Sequence, residues 1–228
     1  MLDRSSWFLA IAVIVPLLGG CRGSMPEAGA RAEGSAEPGS ASGARKVGTD
    51  PGHVGAGTPL VARPGNQLAA FAGGCFWGVE DVFRHVPGVV ATAVGYTGGE
   101  LGQPTYEDVS AHTTGHAETV LVEFDPKRIS YAELLTVFFQ NHDPTTMNRQ
   151  GPDVGTNYRS EVFTFSPEQV AAAQAAKQQA ERELNKPVVT GIAPIGRFWL
   201  AESYHQQYDE KSGTHSCPLP RGLPKHST

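Results

Sequence analysis

Gly73-Gly74-Cys75-Phe76-Trp77-Gly78-Val79-Glu80 is the stretch on which the reading of this chain turns. It follows the short apolar run Leu68-Ala69-Ala70-Phe71-Ala72, the length of a buried strand, and precedes Val79, Val82, Phe83 and Val86 at helical spacing. Paired glycines between two such segments predict a tight strand-to-helix turn that sets Cys75 at the first turn of the helix. There the free backbone N–H groups and the helix dipole favour a thiolate. Phe76 and Trp77 put two large apolar rings beside that sulfur. An unpaired cysteine is more often a buried core residue, but the glycine frame and the aromatic pair favour a reactive thiol.

Outward from this turn the chain continues as a folded domain expected from Gln67 to Pro218, residues 67–218. Strands are predicted at Val89–Tyr96, Ala117–Phe124 and Glu161–Phe165, with a last candidate at Val188–Ile195. Ser130 and Glu133 form a capping box ahead of a helix whose Tyr131, Leu134, Leu135, Phe138 and Phe139 share one face. Ser166-Pro167-Glu168-Gln169 opens a long helix with proline at its first position and a second expected capping box, and Asn185-Lys186-Pro187 ends it. Tyr204–Tyr208 reads as a short helical stretch. Gly102–Thr114 is expected to be polar loop, and Asn141–Tyr158 carries no period, the mark of a functional or mobile connection. Strands and helices mix without doubly wound regularity. The fold class expected is α+β, a mixed sheet with packed helices around a split β-α-β, ferredoxin-like core, followed by a long irregular C-terminal tail, residues 219–228.

Before the domain the composition changes twice. Residues 1–20 hold the apolar run Trp7–Leu18, too short for a spanning helix, which needs roughly 20 residues, but suited to a signal-peptide core. Residues 22–66 are Gly, Ala, Ser and Pro with scattered charge, read as a disordered tether. A flexible chain of that length spans about 35–40 Å. The net charge of −5 and pI near 5.9 argue against a nucleic-acid surface, and no basic run is present. A monomer is expected.

The chain has three cysteines, Cys21, Cys75 and Cys217. No C-x-x-C or H-E-x-x-H spacing occurs, so no metal site is expected. On spacing alone, Cys75 and Cys217 are open to two readings. They could be a structural disulfide of an exported protein. Alternatively they are a nucleophile with a resolving thiol on a Gly/Pro-rich arm, as a sulfenic-acid cycle requires.

Gly74-Cys75-Phe76-Trp77-Gly78 resembles the active-site signature of the peptide-methionine (S)-S-oxide reductases. Further blocks are similar to that family in the same order: Gly95–Gly99, Pro104-Thr105-Tyr106, Gly115-His116-Ala117-Glu118, Asn141–Pro144, Gly155–Ser160 and Ala201–Tyr208. The resemblance implies that Cys75 attacks the sulfoxide sulfur while Glu118 acts as general acid. It implies that Tyr106 and Tyr158 hold the sulfoxide oxygen, that Asp153 is a supporting carboxylate, and that Phe76 and Trp77 cage the substrate methyl. A carboxyl between Ala117 and Val120 in an apolar strand independently favours its neutral form. His116 is expected to orient the Glu118 strand rather than act as a base. Where many relatives carry two recycling cysteines, only Cys217 stands here. The implied relay is therefore one step, with a thioredoxin-like dithiol protein as electron donor and no bound cofactor. Substrates implied are oxidised proteins and free methionine sulfoxide. Leu18-Gly19-Gly20-Cys21 resembles the lipobox of bacterial lipoproteins, with Asp3 an unusual leader residue. It implies lipidation at Cys21, a membrane anchor, and a periplasm-facing location. Two rivals remain: a Cys75-His116-Glu118 hydrolase or acyltransferase, and a non-enzymatic lipoprotein with a static disulfide.

Overall fold

The computed structural model describes residues 47–54, 60–215 and Cys217. The expected signal segment, Cys21 and the tail 219–228 lie outside the described residues. Strand β1 (Gln67–Gly73) is central, and six of its seven residues are buried, as an apolar run flanked on both faces must be. It pairs antiparallel with β3 (Ala117–Phe124), Phe71 opposite Val120, and with β6 (Ser160–Thr164), Ala70 opposite Phe163. β2 (Val89–Thr97) pairs antiparallel with the other edge of β3, which sets Tyr96 opposite Glu118. Helix α1 (Phe76–Arg84) joins β1 to β2, and α3 (Tyr131–Gln140) stands between β3 and β6. The spatial order β6-β1-β3-β2 of this sheet is the split β-α-β arrangement expected from the sequence.

Strand alternation separates two cores. Phe71, Val120, Val122 and Phe124 face α1 and α3, where Phe71 stacks on Phe83 at 4.7 Å and on Phe138 at 5.1 Å between ring centroids. Ala70, Ala72, Leu121 and Phe163 face the opposite side. Helix α4 (Pro167–Leu184) adds Ala173 and Ala180 to the first core and stops at Asn185 in the left-handed region.

Several local expectations are corrected. The Gly102–Thr114 stretch contains α2 (Tyr106–Ser110), begun by a capping box between Thr105 and Asp108 too short to show a period. Within 141–158 lies a small hairpin, β4 (Arg149–Gln150) with β5 (Asp153–Val154). The capping box at Ser166 is half formed. Its hydroxyl accepts from the Gln169 N–H, but the Gln169 side chain instead bonds the Phe165 N–H and the Leu68 carbonyl. The last strand candidate shrinks to β7 (Gly191–Pro194), parallel to β6, and β8 (Trp199–Leu200) adds an edge on β2. Residues 203–207 are turns, with the helix α5 beginning after them at Tyr208–Ser212.

The described part of the span read as tether is structured. Gly48 bridges to Ala91, accepting from the Thr92 N–H and donating to the Val90 carbonyl, and Pro51–His53 form a 3-10 turn. Glu123, wholly buried in β3, accepts from the backbone N–H of Gly52 and Arg63, the Asn66 amide and the Arg63 guanidinium. A buried carboxylate collecting backbone donors fixes this strap. No apolar period announces such an anchor.

Candidate active site

The turn after β1 puts the nucleophile in place. Gly74 has φ +106°, and a Cβ there would lie 2.7 Å from Cβ of Gln150. Glycine therefore lets the 143–150 loop lie over the turn, where buried Gln150 is held by two bonds to the Asp143 backbone. Cys75 is the N-cap of α1 and its carbonyl accepts the first helical bond, from Val79 N–H. Cys75 is joined to Cys217 as a disulfide, with 6.4 Å between the Cα atoms. Of the two readings the spacing left open, both need this bond; the groups around Cys75 distinguish them.

Glu118 reaches the same turn from β3. Its side chain is buried, with Oε2 accepting from the Phe76 N–H at 3.1 Å and Oε1 from the Asn157 amide at 3.3 Å. Burial pushes its pKa up to about 8, against the pull of those two donors, and nearby Asp153 adds to the rise. A carboxyl held next to the Cys75 backbone and still protonated at neutral pH can deliver a proton there. Asp153 in β5 is itself raised by burial. Tyr158, in the 3-10 turn Thr156–Tyr158, is pushed up to about 12, chiefly by burial and then by the charges of Glu118 and Tyr106. Its hydroxyl keeps its proton and can donate.

Aromatic rings wall the other side. Phe76 is buried, tilted against Tyr96 at 5.9 Å and His205 at 5.1 Å. Trp77 stays partly exposed, stacks on Tyr208 at 3.9 Å, and donates from its indole N–H to His205 Nδ1 at 3.0 Å. Tyr106 packs on His205 at 4.5 Å, and its N–H is held by Glu202 Oε1, whose Oε2 accepts from the Tyr96 hydroxyl. His116 spends both ring nitrogens on the backbone of Gly99 and Leu101, so it orients the start of β3 and is not placed as a base.

The arm bearing Cys217 leaves α5. Glu80, buried in α1, accepts from the Thr92 hydroxyl, the Gln207 N–H and the Gln207 amide; burial raises its pKa. Arg84 pairs with Glu210 and donates to the Val47 and Gly48 carbonyls. Closer to Cys217, His215 Nδ1 lies 3.4 Å from Asp81 Oδ2.

Residues 67–227 match the sequence model of the family described as peptide methionine sulfoxide reductase. The chain belongs to the peptide methionine sulfoxide reductase family. It is 56% identical over 160 residues to peptide methionine sulfoxide reductase MsrA of Methanosarcina acetivorans, covering 68% of this chain and 85% of that one. It is 55% identical over 153 residues to MsrA of Geobacter sulfurreducens, covering 66% and 94%. Among solved structures, the reduced form of Mxr1 from Saccharomyces cerevisiae is similar at TM-score 0.68 and 35% identity, covering 72% of this chain and 95% of that one. Methionine sulfoxide reductase A of Corynebacterium diphtheriae is similar at TM-score 0.64 and 35% identity, covering 72% and 85%. In this peptide methionine sulfoxide reductase family member, Cys75, Cys217, Glu118 and the 153–158 turn lie together around the β1–α1 turn. Asn157, Glu202, His205 and the Glu80–Arg84 pair were not singled out from sequence. The first three sat inside recognised blocks, but a buried polar residue that supports a neighbour leaves no periodic signal.

Proposed function

We propose that this protein reduces methionine-S-sulfoxide, in proteins and as the free amino acid, by a two-cysteine relay. The observation that carries the reading is a buried Glu118, its pKa raised by burial to about 8, bonded to the amide beside Cys75, which is joined to Cys217. The Cys75 thiolate attacks the sulfoxide sulfur while Glu118 protonates the departing oxygen. Methionine leaves and Cys75 holds that oxygen as a sulfenic acid. Cys217 then attacks Cys75, forming the disulfide and releasing water. An external thioredoxin-like dithiol restores both thiols and is itself oxidised. Tyr106 and Tyr158 hold the sulfoxide oxygen, Trp77 and Phe76 offer the apolar wall for the methyl group, and Asp153 supports Glu118. The hydrolase reading is disfavoured because His116 has both nitrogens committed to backbone. A stereospecific assay on the two sulfoxide epimers tests this function: turnover of the S epimer alone is expected, and equal turnover of both contradicts it.

The address is proposed from sequence. Leu18-Gly19-Gly20-Cys21 after an apolar leader supports lipidation at Cys21, tethering the enzyme to a bacterial membrane on its periplasmic side. Among the described residues no helix is long and apolar enough to cross a membrane. Cys21→Ala should move the protein from membrane to soluble fractions, and unchanged membrane association would contradict the anchor.

A further inference from the structure

One residue near the acid uses a backbone conformation that side chains other than glycine rarely adopt. His112 has φ +62°. Its Nδ1 lies 2.6 Å from Asn157 Oδ1, and Asn157 in turn donates to Glu118 Oε1. Two further bonds stitch this loop to the same turn. The Thr156 hydroxyl donates to the His112 carbonyl at 3.2 Å, and Arg159 donates to the Gly115 carbonyl at 3.0 Å. Gly155 makes room, because a Cβ there would collide with the His112 ring. A residue held in the left-handed region by bonds on both its backbone and its ring is over-determined by its surroundings, a pattern that concentrates at functional sites.

We propose that His112 is a positioning residue for Glu118, acting through Asn157. The primary amide of Asn157 has one accepting and one donating end. With Oδ1 taken by the His112 N–H, its Nδ2 must face Glu118. Without that bond the amide can rotate, and its oxygen can turn toward the carboxyl. The donor matters most after the proton has gone to the sulfoxide oxygen, when Glu118 is a buried carboxylate whose donors among the described residues are the Phe76 N–H and Asn157. The titratable groups facing Glu118 are Asp153 of β5, Tyr158 of the 3-10 turn and Tyr96 of β2. Among the described residues, Tyr158 faces His112, 6.3 Å away between rings.

The inference rests on Glu118 being the acid of the proposed reaction, and the experiment separates the two. Single-turnover release of methionine is followed across pH for the native protein, Glu118→Gln, His112→Gly and His112→Asn. Glycine accepts the left-handed backbone but removes the donor. Asparagine tolerates that backbone and places an N–H at the same position along its side chain. His112→Gly should release methionine about five- to tenfold more slowly, with the upper pH midpoint moved upward because the carboxylate has lost a donor. His112→Asn should restore both to within about twofold of native. A native rate and midpoint in His112→Gly, or no rescue by His112→Asn, overturns the inference. If Glu118→Gln is also as fast as native, the assignment of Glu118 as the acid fails instead.

Discussion

A carboxylic acid can donate a proton at neutral pH only if its surroundings keep it from losing that proton beforehand. Glu118 meets the condition because burial outweighs the two donors on its oxygens. Replacing it with glutamine preserves shape and hydrogen bonding and removes only the proton. Single-turnover methionine release by Glu118→Gln should therefore slow by about 10²–10⁴. The native rate should fall above about pH 8, and the variant should lack that limb. The stability sign is the reverse of an ordinary ion-paired carboxylate. The native state binds this proton more tightly than the unfolded chain, so stability declines as pH rises from the ordinary carboxylate value of 4.5 and the loss is complete above about 8. Denaturation midpoints of Glu118→Gln should gain on native across that window, and a gain confined to acid pH would contradict the assignment. Glu118 was singled out by the family resemblance; its place in an apolar strand suited a buried acid but suited a strand-edge carboxylate about as well. Asn157 was not, because an amide in a loop is ordinary until its partner is known.

At the level of elements, α1 is the member to which the site is tied. Its apolar face, Val79, Phe83 and their neighbours, was readable at helical spacing. Its polar face was not, although it does as much to assemble the site. Cys75 caps the helix, Trp77 meets His205 and Tyr208, Glu80 binds Gln207, and Arg84 binds Glu210 together with the Val47 and Gly48 carbonyls. The helix thus joins the strap before β1 to the base of the arm that carries Cys217. Arg84→Met keeps the bulk and removes the guanidinium bonds to Glu210, Val47 and Gly48. Only the Arg84 end is buried and Glu210 is exposed, so losing these bonds should cost about 1–3 kcal/mol, read from urea unfolding. A cost below about 1 kcal/mol would mean the ion pair behaves as an exposed one. Sequence periodicity finds what faces a core, so it recovered α1 and α3, while α4 was read from its capping and stop residues; α2, whose five residues complete little more than one turn, was missed.

For the whole molecule, the α+β class with a split β-α-β core was legible in the pattern of strands and helices, whereas the strap over residues 47–54 and 60–66 was not. Its low apolar content reads as disorder, and buried Glu123, Arg84 and the Gly48–Ala91 bridge together explain its order. The molecule brings one cysteine from the first β-α turn and one from the C-terminal arm, 142 residues apart in sequence, into one disulfide. Whether that bond is a relay or a staple is the central question, and intact mass after one turnover without reductant addresses it most directly. The reduced native chain should release one methionine and end lighter by two hydrogens. Cys217→Ser should also release one methionine, end heavier by one oxygen and react with a sulfenic-acid trap, because the first step does not use Cys217. Release of no methionine by the native chain, or a Cys217→Ser chain that keeps its mass after releasing one, would contradict the account.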